Sequence, residues 1–220
     1  MLIDMHVHEK TFSSDSFMGI EEIIARSKVL GLDAVCITDH ESNGLRERSE
    51  EISRNFRFPV FVGAEILTFD GDVLVFGLDR LPEQKMHASD LVELVKRNGG
   101  TAICAHPYRQ NGRGMGDVLK QLSGLSGVEA WNGSTPYALN LKACQAAMQK
   151  NLCLFGSSDA HDLQQLGKYA TEFQGNVRDE RDLIEAIREG DVAPVYYAQG
   201  SYYRFDAEIT ESGFGTYGIS

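Results

Sequence analysis

The chain has 220 residues and a formal net charge of −11, from 21 basic and 32 acidic side chains. Hydrophobic residues make up 42% of the sequence and charged residues 24%, which is the balance of one globular domain with a full core. This composition excludes disordered and fibrous proteins, and no apolar run approaches the ~20 residues that a membrane span needs. The acidic balance disfavours a protein that grips a nucleic-acid backbone, because that binding depends on lysine and arginine.

The four cysteines are widely spaced and form no Cys-x-x-Cys pair. Three of them lie in apolar, strand-like runs, so we expect buried free thiols rather than disulfides or a zinc knuckle. The sequence begins with a strand-like segment, without the basic and apolar regions of a signal peptide. We therefore expect a cytoplasmic protein that does not associate with membranes.

Short apolar runs alternate with longer amphipathic stretches, as in repeated βα units. The apolar runs predict strands at residues 2–7, 33–38, 59–66, 72–76, 101–105, 127–131, 152–156 and 192–197. The amphipathic stretches predict helices at residues 20–30, 41–56, 89–98, 115–125, 137–150 and 179–189. Asp70 and Gly71 predict a tight turn between the third and fourth strands.

About seven strands separated by helices predict an α/β fold, a parallel barrel smaller than the usual ~250 residues. A doubly wound open sheet is the alternative, but the chain has neither GxGxxG after its first strand nor GxxxxGK[ST] anywhere. We expect a single domain, with the barrel in residues 1–195. Residues 196–220 form an aromatic C-terminal segment that we expect to pack on the barrel or at an interface.

Five of the six histidines lie at or just after the C-terminal end of a predicted strand: His6, His8, His40, His106 and His161. Acidic residues occupy equivalent positions: Asp4, Asp39, Glu65, Glu129 and Asp159. In a parallel barrel these strand ends meet on the face where active sites are built. Imidazole and carboxylate groups without thiolates are typical ligands of Zn²⁺, Mn²⁺ or Fe²⁺ in a hydrolytic centre. Residues two apart share one face of a strand, so His6 and His8 can reach the same ion.

Five short motifs follow one another along the chain: Asp4-Met-His6-Val-His8, Thr38-Asp39-His40, Gly63-Ala-Glu65, Ala105-His106-Pro107 and Ser158-Asp159-Ala-His161. Taken in order, they resemble the motifs of the PHP (polymerase and histidinol phosphatase) metal-dependent phosphoesterases. The resemblance runs from residue 2 to about residue 162. It implies a distorted seven-stranded (βα) barrel, similar to a TIM barrel, that holds two or three divalent ions and hydrolyses phosphate esters.

The resemblance also implies ligands, position by position. One ion takes His6, His8, Glu65 and Asp159, and a second, bridged by Glu65, takes His106. A third ion takes His40, His161 and Asp15, which stands in a loop about one residue longer than the family's. The family often adds a ligand near Glu129, where this chain has no histidine, so Glu129 and Asn132 remain alternatives there. Asp159, His161 and Glu65 are the implied catalytic residues.

Two carboxylates close to the motifs suggest supporting roles. A ligating imidazole usually donates its other N–H to a carboxylate, so Asp39 and Asp4 are expected to orient histidine ligands. For Asp4 a purely structural role under the barrel is the alternative. His87 stands apart in a polar linker, and we expect it on the surface.

Such a site supports phosphate-ester hydrolysis by a metal-activated hydroxide. The planar guanidinium of Arg109 can bind two phosphate oxygens, and Tyr108 and Arg113 are further phosphate-binding candidates. The glycine-rich residues 111–116 predict a mobile lip. We expect a phosphatase that acts on a small phosphorylated molecule and not on a nucleic-acid polymer. The alternatives are a phosphodiesterase or nuclease of the same family, an amidohydrolase-like metal hydrolase, and a metal-binding domain without turnover.

Overall fold

Eleven strands and five α-helices form the structure, a computed structural model that describes residues 1–205. The strands are β1 (Leu2–Val7), β2 (Ala34–Ile37), β3 (Val60–Val62), β4 (Ala64–Thr68), β5 (Gly71–Phe76), β6 (Thr101–Cys104), β7 (Gly127–Asn132), β8 (Cys153–Ser157), β9 (Tyr169–Phe173), β10 (Val192–Ala198) and β11 (Ser201–Arg204). The helices are α1 (Ile20–Leu30), α2 (Ser49–Phe56), α3 (Ala88–Arg97), α4 (Tyr137–Gln149) and α5 (Glu180–Glu189). Short 3₁₀ turns cover Arg46–Arg48 and Gly116–Lys120.

The strands pair into two sheets rather than one regular barrel. The first has the order β11-β10-β9-β1-β2-β3, and the second has the order β4-β5-β6-β7-β8. Pairing is parallel within β1-β2-β3 and within β6-β7-β8, and antiparallel elsewhere. The prediction of a single mixed α/β domain is confirmed. The uniformly parallel pairing expected of a seven-stranded (βα) barrel is not found within residues 1–205, because β5 runs antiparallel to both β4 and β6. An apolar run indicates a strand but not its partner or direction.

Backbone hydrogen bonds join the two sheets beside the predicted ligands. The Glu65 N–H donates to the Asp39 carbonyl at 3.1 Å, which ties the end of β2 to β4. On the other side, the Asp159 N–H donates to the His6 carbonyl at 2.8 Å, and the His8 N–H donates to the Ala160 carbonyl at 3.1 Å. These bonds fix the segments on which the ligands stand.

Apolar side chains pack between the sheets and under the helices. One cluster combines Ile3 and Met5 of the first sheet with Leu74 and Phe76 of the second, and α5 adds Leu183 to it. A second cluster joins the first sheet to α1 and α2, and a third joins the second sheet to α3 and α4. The four cysteines are free thiols, three of them buried. No helix within residues 1–205 is long and apolar enough to span a membrane.

Two predicted helices are shorter in the structure. The predicted helix at 41–56 begins only with the 3₁₀ turn at Arg46–Arg48, and the one at 115–125 is reduced to the turn at Gly116–Lys120. Gly124 has a φ of +88°, a left-handed conformation that a helix cannot include. The amphipathic spacing therefore predicts both helices to be longer than they are in the structure.

The predicted C-terminal segment starts inside β10, which pairs with β9 and β11. Residues 196–205 are thus largely part of the first sheet. Phe205 stacks on the buried Trp131, with ring centroids 3.8 Å apart and an interplanar angle of 9°. Residues 206–220 of that predicted segment lie outside the described residues.

Candidate metal centre

Five imidazole rings lie together at the ends of β1, β2, β6 and β8: His6, His8, His40, His106 and His161. Neighbouring ring centroids are 4.2–5.7 Å apart. Three of the rings are buried, while those of His40 and His161 are 24% and 23% exposed and face the outside of the site. His87 is 62% exposed and pairs with Asp70, away from this group. The structure thus brings together the five histidines that the sequence places at or just after the ends of predicted strands.

Glu65 lies at the centre of the histidines. Its Oε1 is 2.8 Å from His106 Nε2, and its Oε2 is 2.6 Å from His40 Nδ1. The Nε2 atoms of His6 and His8 are each 3.7 Å from the same carboxylate. Burial alone would raise the pKa of Glu65, but the surrounding imidazoles outweigh it and hold that pKa well below its usual range. A single buried anion therefore contacts four of the five rings.

Three histidines donate their Nδ1–H away from the centre. The Nδ1 atom of His6 is 3.0 Å from Glu129 Oε1, and that of His161 is 3.1 Å from the Asp159 carbonyl oxygen. The Nδ1 atom of His8 is 3.2 Å from Ser13 Oγ. These partners accept hydrogen bonds, so each ring keeps the lone pair of its Nε2 for the centre. Metal-binding histidines in proteins are held in the same way.

Ser13 connects Asp39, which the sequence predicts to orient a histidine ligand, to the site. Ser13 lies in a polar loop, and no feature of the sequence singles it out. Its hydroxyl donates to Asp39 Oδ1 at 2.7 Å and accepts the His40 backbone N–H at 3.2 Å. Its remaining lone pair faces His8 Nδ1. Burial raises the pKa of Asp39 to about 6, although hydrogen bonds from Glu9 and Ser13 oppose that rise. Asp39 therefore orients His8 indirectly, through a serine.

Asp4 supports backbone rather than an imidazole ring. Its Oδ1 accepts the Ser158 N–H at 2.9 Å, and its Oδ2 accepts the Gly167 N–H at 3.1 Å. The segment that it holds carries Asp159, which has a left-handed φ of +53°. His106 also has a positive φ, +25°. Such backbone conformations persist only where surrounding contacts enforce them, and they cluster at functional sites.

The cluster requires positive charge at its centre. The Nε2 atoms of His6 and His8 face each other at 2.9 Å. Because the Nδ1–H groups of both rings donate to other partners, each Nε2 carries a lone pair. The two lone pairs repel each other unless a cation lies between them. Burial lowers the pKa of His8 to about 4, so that ring stays neutral. Burial would also lower the pKa of His6, but Asp159, Glu129 and Glu65 raise it well above its usual value. A proton or a metal ion satisfies this demand.

The donor atoms fit divalent ions. Four groups of three side chains have ligand atoms within 4.8 Å of one another: His6, His8 and Asp159; Glu65, Asp72 and His106; His6, His106 and Glu129; and His8, His40 and His161. Asp15 Oδ2 lies 3.2 Å from His40 Nε2 and 3.4 Å from His161 Nε2. Three buried atoms here lack a hydrogen-bond partner among the described residues: Asp72 Oδ1, His106 Nδ1 and Asp159 Oδ1. Buried polar atoms without partners are rare in proteins unless a ligand completes them.

The two arginines predicted to bind phosphate also reach the cluster. The Nη2 of Arg109 contacts Asp159 and donates to Asn132 Oδ1 at 2.8 Å. The Nε of Arg113 lies 2.6 Å from Asp72 Oδ2, and its Nη2 is 3.4 Å from Glu65 Oε2. The Asp72 N–H donates to the Arg113 carbonyl at 2.9 Å, so the glycine-rich lip is anchored to β5 by its backbone.

Tyr108 is not brought to the site. Its hydroxyl donates to Asp117 at 3.1 Å, and its ring packs in the core of the second sheet beneath Lys142. Burial, followed by the bond to Asp117, raises the pKa of Tyr108 to about 12.

A cleft of about 610 Å³ opens above the histidines. Its walls carry two arginines, two histidines, a carboxylate, several amides and a small apolar patch: Asp15, His40, Arg109, Gln110, Asn111, Arg113, Ser134, Pro136, Leu139, His161 and Gln165. The cleft joins the guanidinium groups to the more exposed histidines. It can therefore admit an anionic group to the cluster.

Two sequence comparisons relate the chain to known proteins. Residues 138–192 match the family model described as PHP-associated. An uncharacterized protein of Methanocaldococcus jannaschii is 28% identical over 170 residues, which are 70% of this chain and 98% of that protein.

Solved structures show the same fold. A two-domain protein from Bacteroides vulgatus with a predicted PHP-like metal-dependent phosphoesterase has a TM-score of 0.70 at 20% identity, over 90% of this chain and 65% of that one. An amidohydrolase from Chromobacterium violaceum has a TM-score of 0.64 at 16% identity, over 84% and 96%. A lesion-specific endonuclease from Pyrococcus furiosus has a TM-score of 0.60 at 14% identity, over 86% and 56%. These structures show a shared fold, and the family match over residues 138–192 supports the resemblance to the PHP family that the five motifs carry.

Proposed function

We propose that this PHP-family chain is a metal-dependent phosphatase that hydrolyses phosphomonoesters of small molecules. The observation that carries the proposal is the cleft, in which Arg109 and Arg113 stand beside a cluster of imidazoles and carboxylates. Guanidinium groups recognise phosphoryl oxygens, and the cluster is suited to divalent ions. Metal-dependent hydrolysis of a phosphate ester uses both features.

The ligand set supports two or three ions of Zn²⁺, Mn²⁺ or Fe²⁺. His6, His8, Asp159 and Glu65 would hold one ion, and Glu65 and His106 would hold the next. The more exposed His40, His161 and Asp15 would hold a third. When bound, such ions lower the pKa of a water molecule towards neutrality and offset the charge of the phosphoryl oxygens. In this assignment Asp159, His161 and Glu65 are catalytic residues.

Arg109 is held ready for a phosphate group. Asp159 and Asn132 fix its Nη2, and Thr135 Oγ1 lies 3.4 Å from its Nε. Its Nη1 has no hydrogen-bond partner among residues 1–205, so it can donate to a phosphoryl oxygen. An arginine ordered in advance loses little side-chain entropy when it binds its ligand. Arg113 adds a second cation on the same cleft, whereas the placement of Tyr108 gives it no part in phosphate binding.

Charge and size favour a small monoester over a polymer. The net charge of −11 repels a long polyanion outside the cleft. The cleft of about 610 Å³ is large enough for a phosphorylated small molecule. The endonuclease and the amidohydrolase of similar fold define the competing reactions, which are cleavage of a phosphodiester and of a C–N bond.

The experiment is steady-state hydrolysis by protein reconstituted with Mn²⁺, Fe²⁺ or Zn²⁺. The substrates are a panel of small phosphomonoesters, a single-stranded oligonucleotide, an aryl phosphodiester and a simple amide, all at moderate salt. The proposal predicts the highest kcat/KM for a phosphomonoester. Faster cleavage of the oligonucleotide or the diester would move the assignment to a nuclease, and faster cleavage of the amide would exclude phosphate chemistry.

A further inference from the structure

Asp72 is a fully buried carboxylate on β5 that stands next to the implied second ion site. Leu74 and Phe76, further along the same strand, point into the core shared by the two sheets. Residues two apart share a face of a strand, so Asp72 faces the same interior at the end nearer the histidines. Its Oδ2 is 3.7 Å from His106 Nε2, and ligand atoms of Glu65, Asp72 and His106 lie within 4.8 Å of one another.

One oxygen of this carboxylate has nothing to bind. Asp72 Oδ1 is buried and lacks a hydrogen-bond partner among the described residues, while Oδ2 contacts Arg113 Nε at 2.6 Å. Burying an ionised carboxylate is costly unless its oxygens are paired or coordinate a metal. One arginine pairs only one of the two oxygens. The free oxygen is the observation that points to a further ligand.

The other candidates for this site are already engaged. Glu129 Oε1 accepts from His6 Nδ1 and the Ser157 hydroxyl, and its Oε2 accepts the His106 backbone N–H at 2.8 Å. Asn132 Oδ1 accepts from Arg109, and its Nδ2 donates to Asp159. Both side chains thus serve as hydrogen-bonding supports of the cluster.

We infer that Asp72 is a ligand of the second metal ion, together with Glu65 and His106. The inference rests on the proposed metal-dependent function and adds a residue that lies outside the five motifs. The guanidinium of Arg113 contacts the Asp72 and Glu65 carboxylates, so Arg113 competes with the ion for both. Removing the carboxylate and removing the arginine should therefore change metal binding in opposite directions.

The test measures metal binding and needs no substrate. Protein freed of metal with EDTA is titrated with Mn²⁺, and bound ions are counted by equilibrium dialysis and elemental analysis. Electron paramagnetic resonance distinguishes a coupled pair of Mn²⁺ ions from a single ion. Asp72→Asn should bind one ion fewer per chain than the wild type and lose the coupled signal. The loss of affinity should exceed the about 10–100-fold typical of losing a group that only orients a ligand.

Arg113→Gln separates the two roles that Asp72 can have. If Asp72 is a ligand, this variant keeps the full number of ions and binds the second more tightly. If Asp72 only pairs with Arg113, Asp72→Asn keeps the full number of ions as well, which overturns the inference. Should Asp72→Asn not fold alone, the double variant Asp72→Asn/Arg113→Gln replaces it, because it removes the guanidinium that the lost carboxylate would leave unpaired. A full number of ions in that double variant overturns the inference.

A matched control is Asp79→Asn, because Asp79 follows the same strand, is 90% exposed and pairs only with Arg46 among the described residues. It should bind metal as the wild type does, and thermal unfolding of the metal-free proteins compares their folds. Wild-type affinity and ion count in Asp72→Asn overturn the inference while leaving the proposed function standing. A wild type that binds no ions overturns both.

Discussion

Replacing Ser13 with alanine tests the support of the histidine cluster. The substitution removes the acceptor of the His40 N–H and of the His8 Nδ1–H, and Asp39 Oδ1 keeps only the Glu9 N–H, at 2.6 Å. Each donor left without an acceptor costs about 1–3 kcal/mol of folding stability. His8 also loses the bond that fixes its tautomer, which typically weakens a metal site about 10–100-fold, or about 1.4–2.7 kcal/mol of binding free energy.

Two assays read these effects separately. Urea unfolding of the metal-free protein gives the stability, and Mn²⁺ titration gives the affinity. Ser16→Ala is the matched control, because Ser16 is a buried serine of the same loop whose hydroxyl donates to the His8 carbonyl at 2.7 Å and not to its ring. We expect the control to lose stability but to keep its metal affinity. Equal affinities in Ser13→Ala and the wild type would refute the proposed support of His8 by Ser13.

Three further substitutions probe the centre and its phosphate site. Glu65→Gln removes the anion shared by the histidines, so metal content by elemental analysis and turnover should collapse with the circular dichroism unchanged; retained activity places the bridging carboxylate elsewhere. Arg109→Ala should raise KM for a phosphomonoester and lower kcat if its guanidinium tightens on the transition state, and unchanged constants remove it from the site. Gly114→Ala adds a Cβ 2.8 Å from the Pro107 carbonyl oxygen, which should displace the Arg109 loop and raise KM. Gly175→Ala is the control and should behave as the wild type, because no atom lies within 4 Å of the added Cβ. Equal KM values in the two glycine variants would contradict the proposed effect of the loop on Arg109.

The grouping of the five histidines could be predicted because it depends on local sequence. Each histidine follows an apolar run, and apolar runs reliably mark strands. Parallel strands then place their C-terminal ends on one side. His6 and His106 come from distant parts of the chain, yet their rings stack at 5.7 Å.

The remaining features depend on which strands pair. Asp72 reaches His106 because β5 runs antiparallel to β6, in a register that sets Val73 opposite Cys104. No periodicity within residues 71–76 encodes that partner. Tyr108 shows the same limit, since its position two residues after His106 says nothing about its hydroxyl, which bonds to Asp117. Strand β9 is too short and too polar to stand out before its neighbours β1 and β10 are known.

Phosphate release measured together with bound metal tests whether this protein is a metal-dependent phosphatase. Metal-free protein receives increasing Mn²⁺, and release from a small phosphomonoester is followed together with the number of ions bound per chain. We expect no turnover without metal and a rate that rises until at least two ions are bound. Turnover by metal-free protein, or no bound ions after reconstitution with Mn²⁺, Fe²⁺ and Zn²⁺ in turn, would contradict it.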